Sequence, residues 1–346
     1  MFDLAIQENI PLGPLTTLKV GGPASRFVEA RTEKAVADAI ALAEAIDVPV
    51  FVLGGGSNVV ISDSGFAGLV LKIAIDGVDF AAANDSIVSV TVGAGVVWDD
   101  FVDECVNRRL AGVECLSGIP GLVGGTPIQN VGAYGQDVSE SIRSVRCFDR
   151  RSREFIELSN EECEFAYRKS RFNSRDIGRF VVVGVRYELI ENGEPKIAYR
   201  ELADVFKRRR PNLASVRNAV LDIRRKKSMV IDADDVNSQS AGSFFKNPVV
   251  TDAAFEELNS QFPELPRFPA DAGMVKIPAA WLIENAGFSK GARRGNAGIS
   301  QNHSLALVNY GDAKAQEIRA LQDEIQRAVR EKFNLELVPE PIFVGF

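Results

Sequence analysis

Histidine is nearly missing: His303 is the single one among 346 residues. A lone imidazole cannot build a His-rich zinc site, and it leaves a serine or cysteine nucleophile only one candidate base. Cysteine is scarce as well. Cys105, Cys115, Cys147 and Cys163 show no C-x-x-C pairing and lie far from His303 in the chain, so no metal site is expected. Excess basic charge is absent: 40 Lys and Arg stand against 47 Asp and Glu, for a net charge of −7 and a pI near 5.1. That balance argues against bulk nucleic-acid binding. No uninterrupted apolar stretch reaches the length of a membrane span. Met1-Phe2-Asp3-Leu4-Ala5 lacks the basic and apolar regions of a signal peptide. A reduced cytoplasmic compartment is the expectation. The chain also has no internal repeat and no low-complexity segment.

What the chain does have is glycine in two concentrated runs. The longer begins at Ser117-Gly118-Ile119-Pro120-Gly121 and continues through Gly124, Gly125, Pro127 and Gly132 to Tyr134 and Gly135. Its six glycines and two prolines cannot hold an uninterrupted helix or a central strand. Such a run can bend tightly and present backbone N–H groups to phosphate oxygens. No Gly-Lys-Ser/Thr follows, so it is not a Walker loop, and its spacing is not the G-x-G-x-x-G of a dinucleotide fold. Composition alone fits an anion bed and an ordinary long surface loop equally.

At this length two or three domains are expected. The hydrophobic share of 46% and charged share of 25% are those of a soluble globular protein. After a Pro/Gly-rich segment, Pro11 to Pro23, the spacing predicts a helix over Glu33–Ile46 capped by Thr32. Val50-Phe51-Val52-Leu53 reads as a buried strand running into Gly54-Gly55-Gly56-Ser57-Asn58. Val59-Val60-Ile61 and the turn Asp63-Ser64-Gly65 follow where a dinucleotide fold would place a helix. This second phosphate-competent turn therefore lies between strands. Ile87 to Val92 alternates as a strand, and Trp98, Phe101, Val102, Cys105 and Val106 form a helical stripe. Ser144–Asp149 and Phe180–Leu189 read as strands, giving two α+β lobes in the first two hundred residues. Pro195–Pro211 reads as a connector with the basic run Lys207–Arg210. A helix over Val216–Ile223 leads to Arg224-Arg225-Lys226-Lys227, and Asp232–Ser240 reads as a loop. Later, Trp281-Leu282-Ile283 belongs to a helix, Leu305–Val308 to a strand, and Ala313–Phe333 to the last helix.

Three spots can carry chemistry. In Gly242-Ser243-Phe244-Phe245-Lys246-Asn247-Pro248 the serine has no G-x-S-x-G setting, so a hydrolase nucleophile is disfavoured and the residues alone favour a turn with core phenylalanines. In Phe165-Ala166-Tyr167-Arg168-Lys169-Ser170 an arginine between aromatics suits a carboxylate, although a solvated basic face has the same composition. Glu340 sits between Pro339 and Pro341, which suits exact placement or an exposed turn. The basic runs at 207–210 and 224–227 are solvated helix faces or diphosphate contacts.

Taken in order, Gly54–Asn58, Ser117–Gly135, Tyr167-Arg168-x-Ser170, Gly242–Pro248 and Pro339-Glu340-Pro341 closely resemble the UDP-N-acetylenolpyruvoylglucosamine reductase (MurB) family, in the subgroup with an extra tyrosine loop. The resemblance covers nearly the whole chain, with little signal over 251–300. It implies an α+β fold: a vanillyl-alcohol-oxidase/PCMH-type FAD-binding module of two α+β subdomains, 1–75 and 76–228, and an α+β substrate-binding domain, 229–346, carrying Ser243 and Glu340.

By the same resemblance the activity is NADPH-dependent reduction of UDP-N-acetylglucosamine enolpyruvate to UDP-N-acetylmuramate, in peptidoglycan precursor synthesis. FAD is expected without a covalent bond, since His303 lies outside the flavin module. Its implied bed is Gly54, Gly55, Gly56, Ser57, Asn58, Ser117, Gly118, Gly121, Gly124, Gly125, Thr126, Gln129, Asn130, Gly132, Ala133 and Tyr134. NADPH reduces FAD and leaves, and flavin N5 then delivers hydride to the enolpyruvyl alkene. Arg168 and Glu340 match the residues that polarise the neighbouring carboxylate, and Ser243 matches the proton donor. A hydroxyl is a weak acid, yet an enolate carbon is basic enough to take its proton. Tyr199, Lys227, Asn247 and His303 are implied at the substrate, His303 in a slot where some members have glutamine. No nucleic acid, membrane or obligate protein partner is implied. Two rivals stay open: another FAD-dependent oxidoreductase of the superfamily, and a nucleotide-binding regulatory protein without redox chemistry.

Overall fold

Thr32 starts the first helix as its side chain suits it to do. Its hydroxyl accepts the N–H of Ala35, and α1 runs Glu33–Ala45 with Val36, Ala39, Ile40 and Ala43 buried. The computed structural model describes residues 4–84, 86–207 and 210–346. Arg208 and Arg209 of the basic run, and Met1-Phe2-Asp3, lie outside the described residues. The chain forms two units. The first holds Met1–Ile10, Ala24–Gly56 and Phe66–Val230; the second holds Pro11–Pro23, Ser57–Gly65 and Ile231–Phe346.

The first unit contains two sheets. One has four strands in the order Gln7–Pro11, Pro23–Ala30, Phe66–Ile73, Val50–Leu53, and the last three run parallel. Leu69, Val70 and Leu71 of the interior strand are fully buried, as expected for a parallel strand covered on both faces. The other sheet is antiparallel, in the order Glu154–Ser159, Ile142–Asp149, Phe180–Glu191, Ile87–Gly93, Val78–Ala82, with Leu110–Ala111 joined to the end of Phe180–Glu191. Helix α2, Trp98–Asn107, buries Trp98 and Phe101 beside Tyr187 of the long strand, and the Phe101 and Tyr187 rings are 5.0 Å apart.

Two helices complete the first unit. Pro195–Pro211 is more than a connector, because α3 spans Arg200–Val205 within it. The helix expected over Val216–Ile223 is longer. As α4 it runs Leu213–Lys226, since Asn212 accepts the N–H of Ser215 and caps it three residues earlier.

The second unit packs α5 (Asp252–Gln261), α6 (Ala279–Asn285) and α7 (Ala315–Phe333) with short sheets. The α7 stripe Ile318, Leu321, Ile325, Val329 and Phe333 is buried in one cluster with Phe244, Phe245, Leu282 and Ile283. Val59–Ile61 and Ile342–Val344 pair in parallel within this unit. The strand expected at Leu305–Val308 forms later, at Leu307–Asn309, because His303 and Ala306 close a turn first. Among the described residues no helix is long and apolar enough to cross a membrane.

Candidate active site

The two glycine turns meet in the first unit. Gly54-Gly55-Gly56 leaves the carboxyl end of the strand Val50–Leu53, and Gly55 lies directly on Gly121. A Cβ built on Gly55 would stand 2.7 Å from Gly121 Cα and 3.1 Å from Leu122 N. Only glycine allows such an approach of backbone to backbone. Gly56 turns the chain with φ +64°. Among the described residues, no protein acceptor meets the N–H groups of Gly55 or Gly56. Gly54 and Gly125 face open space. Together these features leave backbone N–H groups at a tight turn without a protein acceptor, which is what an anion site needs.

Charged side chains hold the longer turn in place. Gly118, at φ +70°, donates its N–H to Asp99 Oδ1 at 2.6 Å and accepts at its carbonyl from Arg224 Nε at 3.2 Å. Arg217 grips Asp99 with both ends of its guanidinium, at 2.6 and 3.0 Å. Trp98 adds an indole bond to the Leu116 carbonyl and an N–H bond to the Gly121 carbonyl. Burial works to raise the Asp99 pKa, but the Arg217 and Gly118 hydrogen bonds with the Arg217 and Arg224 charges outweigh it and hold the carboxyl below its ordinary value. The stabilisation is therefore present above the ordinary aspartate pKa and fades as pH falls through the lowered one. Asp99→Ala strands the Gly118 N–H and both Arg217 Nη donors at a cost of about 1–3 kcal/mol. A melting temperature several degrees lower at pH 7, with the deficit shrinking on acidification, is the expected calorimetric result.

Several hydroxyls in the turn are engaged with the protein itself. Ser117 Oγ donates to the Glu114 carbonyl, and Thr126 Oγ1 meets the Val123 carbonyl and Tyr187 Oη. Asn130 bridges the Ala166 carbonyl and the Ser139 N–H. Arg168, in the left-handed region at φ +51°, donates to the carbonyls of Gly132 at 2.5 Å and Asn130 at 3.5 Å. A side chain at Gly132 would meet Arg168 Nη1 and the Asp137 carboxylate. Arg168 and the end of the glycine run are thus one local construction. Gln129 and Ala133 are half-buried beside it. Tyr134 packs edge-on against Tyr199 at 5.5 Å, and burial pushes its hydroxyl up to about 12. Lys227, the C-cap of α4, pairs with Glu201.

The second unit brings Ser243, Glu340 and Asn58 together through the backbone. Phe244 donates to the Leu305 carbonyl at 2.8 Å, Glu340 donates to the Phe244 carbonyl at 2.9 Å, and Asn58 Nδ2 donates to the Glu340 carbonyl at 3.1 Å. Gly242 turns with φ +72° into open space, and the Ser243 hydroxyl has no protein partner among the described residues. His303 lies in the same turn as Leu305. Asn247 Oδ1 accepts the Ala279 N–H at the start of α6.

Known proteins carry the same organisation. The FAD binding domain family matches residues 24–156, and the C-terminal domain of UDP-N-acetylenolpyruvoylglucosamine reductase matches 234–344. The enzyme of that name from Thermobifida fusca is 45% identical over 350 residues, covering 98% of both chains. That from Streptomyces coelicolor is also 45% identical, covering 98% of this chain and 91% of its own. This chain belongs to the UDP-N-acetylenolpyruvoylglucosamine reductase family. The crystal structure of the Thermus caldophilus reductase aligns over 100% of both chains with a TM-score of 0.67 at 26% identity. The fold is accordingly the α+β, PCMH-type FAD-binding fold joined to the reductase C-terminal domain, and the protein is an oxidoreductase.

Set against this reductase family, the cradle fits a flavin dinucleotide. The Gly55 and Gly56 N–H groups, which meet no protein acceptor among the described residues, suit a diphosphate. Asp99, Arg217 and Arg224 escaped the sequence reading. Arg224 lies in a run read as a solvated face or as diphosphate contacts, but its guanidinium is tucked beneath Gly118 and Met229, and burial lowers its pKa. The signal available was the spacing of Arg217 and Arg224, two helical turns apart and bracketing buried Val220 and Ile223.

Proposed function

We propose that this protein reduces UDP-N-acetylglucosamine enolpyruvate to UDP-N-acetylmuramate with NADPH, in peptidoglycan precursor synthesis in the cytoplasm. The reading rests above all on the backbone approach of Gly55 to Gly121, which shapes a bed for the FAD diphosphate. Noncovalent attachment follows from the nucleophiles at hand. All four thiols are buried, with Cys115 and Cys163 pushed up to about 12 by loss of solvent, so they stay protonated at neutral pH. The proposed subdomains, 1–75 and 76–228, each have their own sheet as support, and 229–346 carries the substrate residues.

FAD held on the two glycine turns and reduced by NADPH would supply the hydride for the terminal alkene carbon. Arg168, whose guanidinium is anchored on the Gly132 and Asn130 carbonyls, polarises the substrate carboxylate. Glu340 acts on that carboxylate with Arg168, and charge spreading into it stabilises the enolate. Ser243 then protonates the α-carbon and sets the product's configuration. Tyr199 and Lys227 take the diphosphate, while Asn247 and His303 border the substrate. Purified protein that is flavin-yellow and oxidises NADPH only when the enolpyruvyl substrate is present would support the reading. Colourless protein, or NADPH oxidation indifferent to that substrate, would overturn it.

A further inference from the structure

The ammonium assigned to the substrate's diphosphate already holds an anion. Lys227 Nζ lies 2.5 Å from Glu201 Oε2. Glu201 belongs to the first turn of α3, whose N-cap is Tyr199 two residues earlier. The pair therefore ties the C-terminus of α4 to the turn that carries the tyrosine. Leu202, fully buried with Val216, Val220 and Ile223, seats α3 against α4, so the two elements share one apolar footing. The Tyr199 ring rests edge-on against Tyr134, and the Glu201 charge is felt at the Tyr134 hydroxyl.

The side chains of Lys227 and Glu201 are 33% and 42% exposed. An ion pair between side chains this exposed adds little to stability. It is strong enough to hold a flexible lysine in one place and weak enough to yield to a doubly charged diphosphate.

We propose that Glu201 is a positioning residue that stands in for the substrate's diphosphate. It keeps Lys227 in place while the site is empty and surrenders it when the nucleotide arrives. The inference rests on the assignment of Lys227 to the diphosphate made above.

The test is UDP binding to the purified FAD-loaded protein, followed by calorimetry. Glu201→Gln keeps the shape and removes the competing charge, so the UDP dissociation constant should fall about two- to five-fold. Lys227→Met should weaken UDP binding, and adding Glu201→Gln to it should then change nothing. A salt bridge with a merely structural role would lower the melting temperature on mutation and leave UDP binding equal or weaker. That outcome in Glu201→Gln, alongside weakened binding in Lys227→Met, overturns the stand-in role alone. Unchanged binding in Lys227→Met overturns the lysine assignment and the inference with it.

Discussion

Ser243→Ala protein is expected to take electrons from NADPH at the parent rate and then to keep them. Reoxidation by the enolpyruvyl substrate should slow by about 10²–10⁴-fold, the usual worth of a placed proton donor. The expectation follows from how Ser243 is held. Its backbone cannot drift, because the next residue is bonded on both sides: Phe244 N–H to Leu305 and the Phe244 carbonyl to Glu340 N–H. Lys246 extends the same pairing to Val338. The hydroxyl itself has no protein partner among the described residues, so it is available to a ligand. The geometry gives the Ser243 hydroxyl no base, since it has no hydrogen-bond partner among the described residues. Donation to an enolate carbon needs no base. Rapid mixing separates the two half-reactions, and equal slowing of both would remove Ser243 from the proton-transfer role.

Local chemistry made parts of this fold readable from sequence. Thr32 caps α1, Val50–Leu53 ends in the first glycine turn, and the α7 stripe is buried as its spacing requires. These features depend on neighbours a few residues away. The interior strand Phe66–Ile73 was not legible, since its partners Pro23–Ala30 and Val50–Leu53 come from distant segments. The site behaves in the same way. Its glycines announce themselves, but that Gly118 is held between Asp99 and Arg224 depends on contacts 19 and 106 residues apart. Ser117 and Thr126 look like ligand-binding hydroxyls in the sequence, yet both point into backbone carbonyls. The run Gly54–Asn58 reads as one motif, but its first three residues belong to one unit and Ser57 and Asn58 to the other. Charge density misled at Arg224, where a run of four cations hides the one whose guanidinium turns inward.

Gly55→Ala should cost the protein its flavin. The added methyl would stand 2.7 Å from Gly121 Cα and 3.0 Å from Gly121 C. Both are backbone atoms, so no side-chain rotation relieves the contact and the two turns must part. Gly121 is poorly placed to give way, because its carbonyl is held by Trp98 N–H and the next residues are bonded to Val96 and Ala94. Overpacking of this kind costs about 1–3 kcal/mol. If the turns jointly hold the diphosphate, most of that appears as lost affinity, and about 1.4 kcal/mol is already tenfold. The expected result is FAD binding weakened at least about tenfold by fluorescence titration, with a lower melting temperature of the apoprotein. Gly54→Ala separates the causes, since its methyl would meet no protein atom within 4 Å. It should leave the apoprotein's melting temperature unchanged, so any affinity it loses reports contact with the cofactor itself. Gly55→Ala protein that binds FAD as tightly as the parent would show that the close approach of the two turns has no part in holding it.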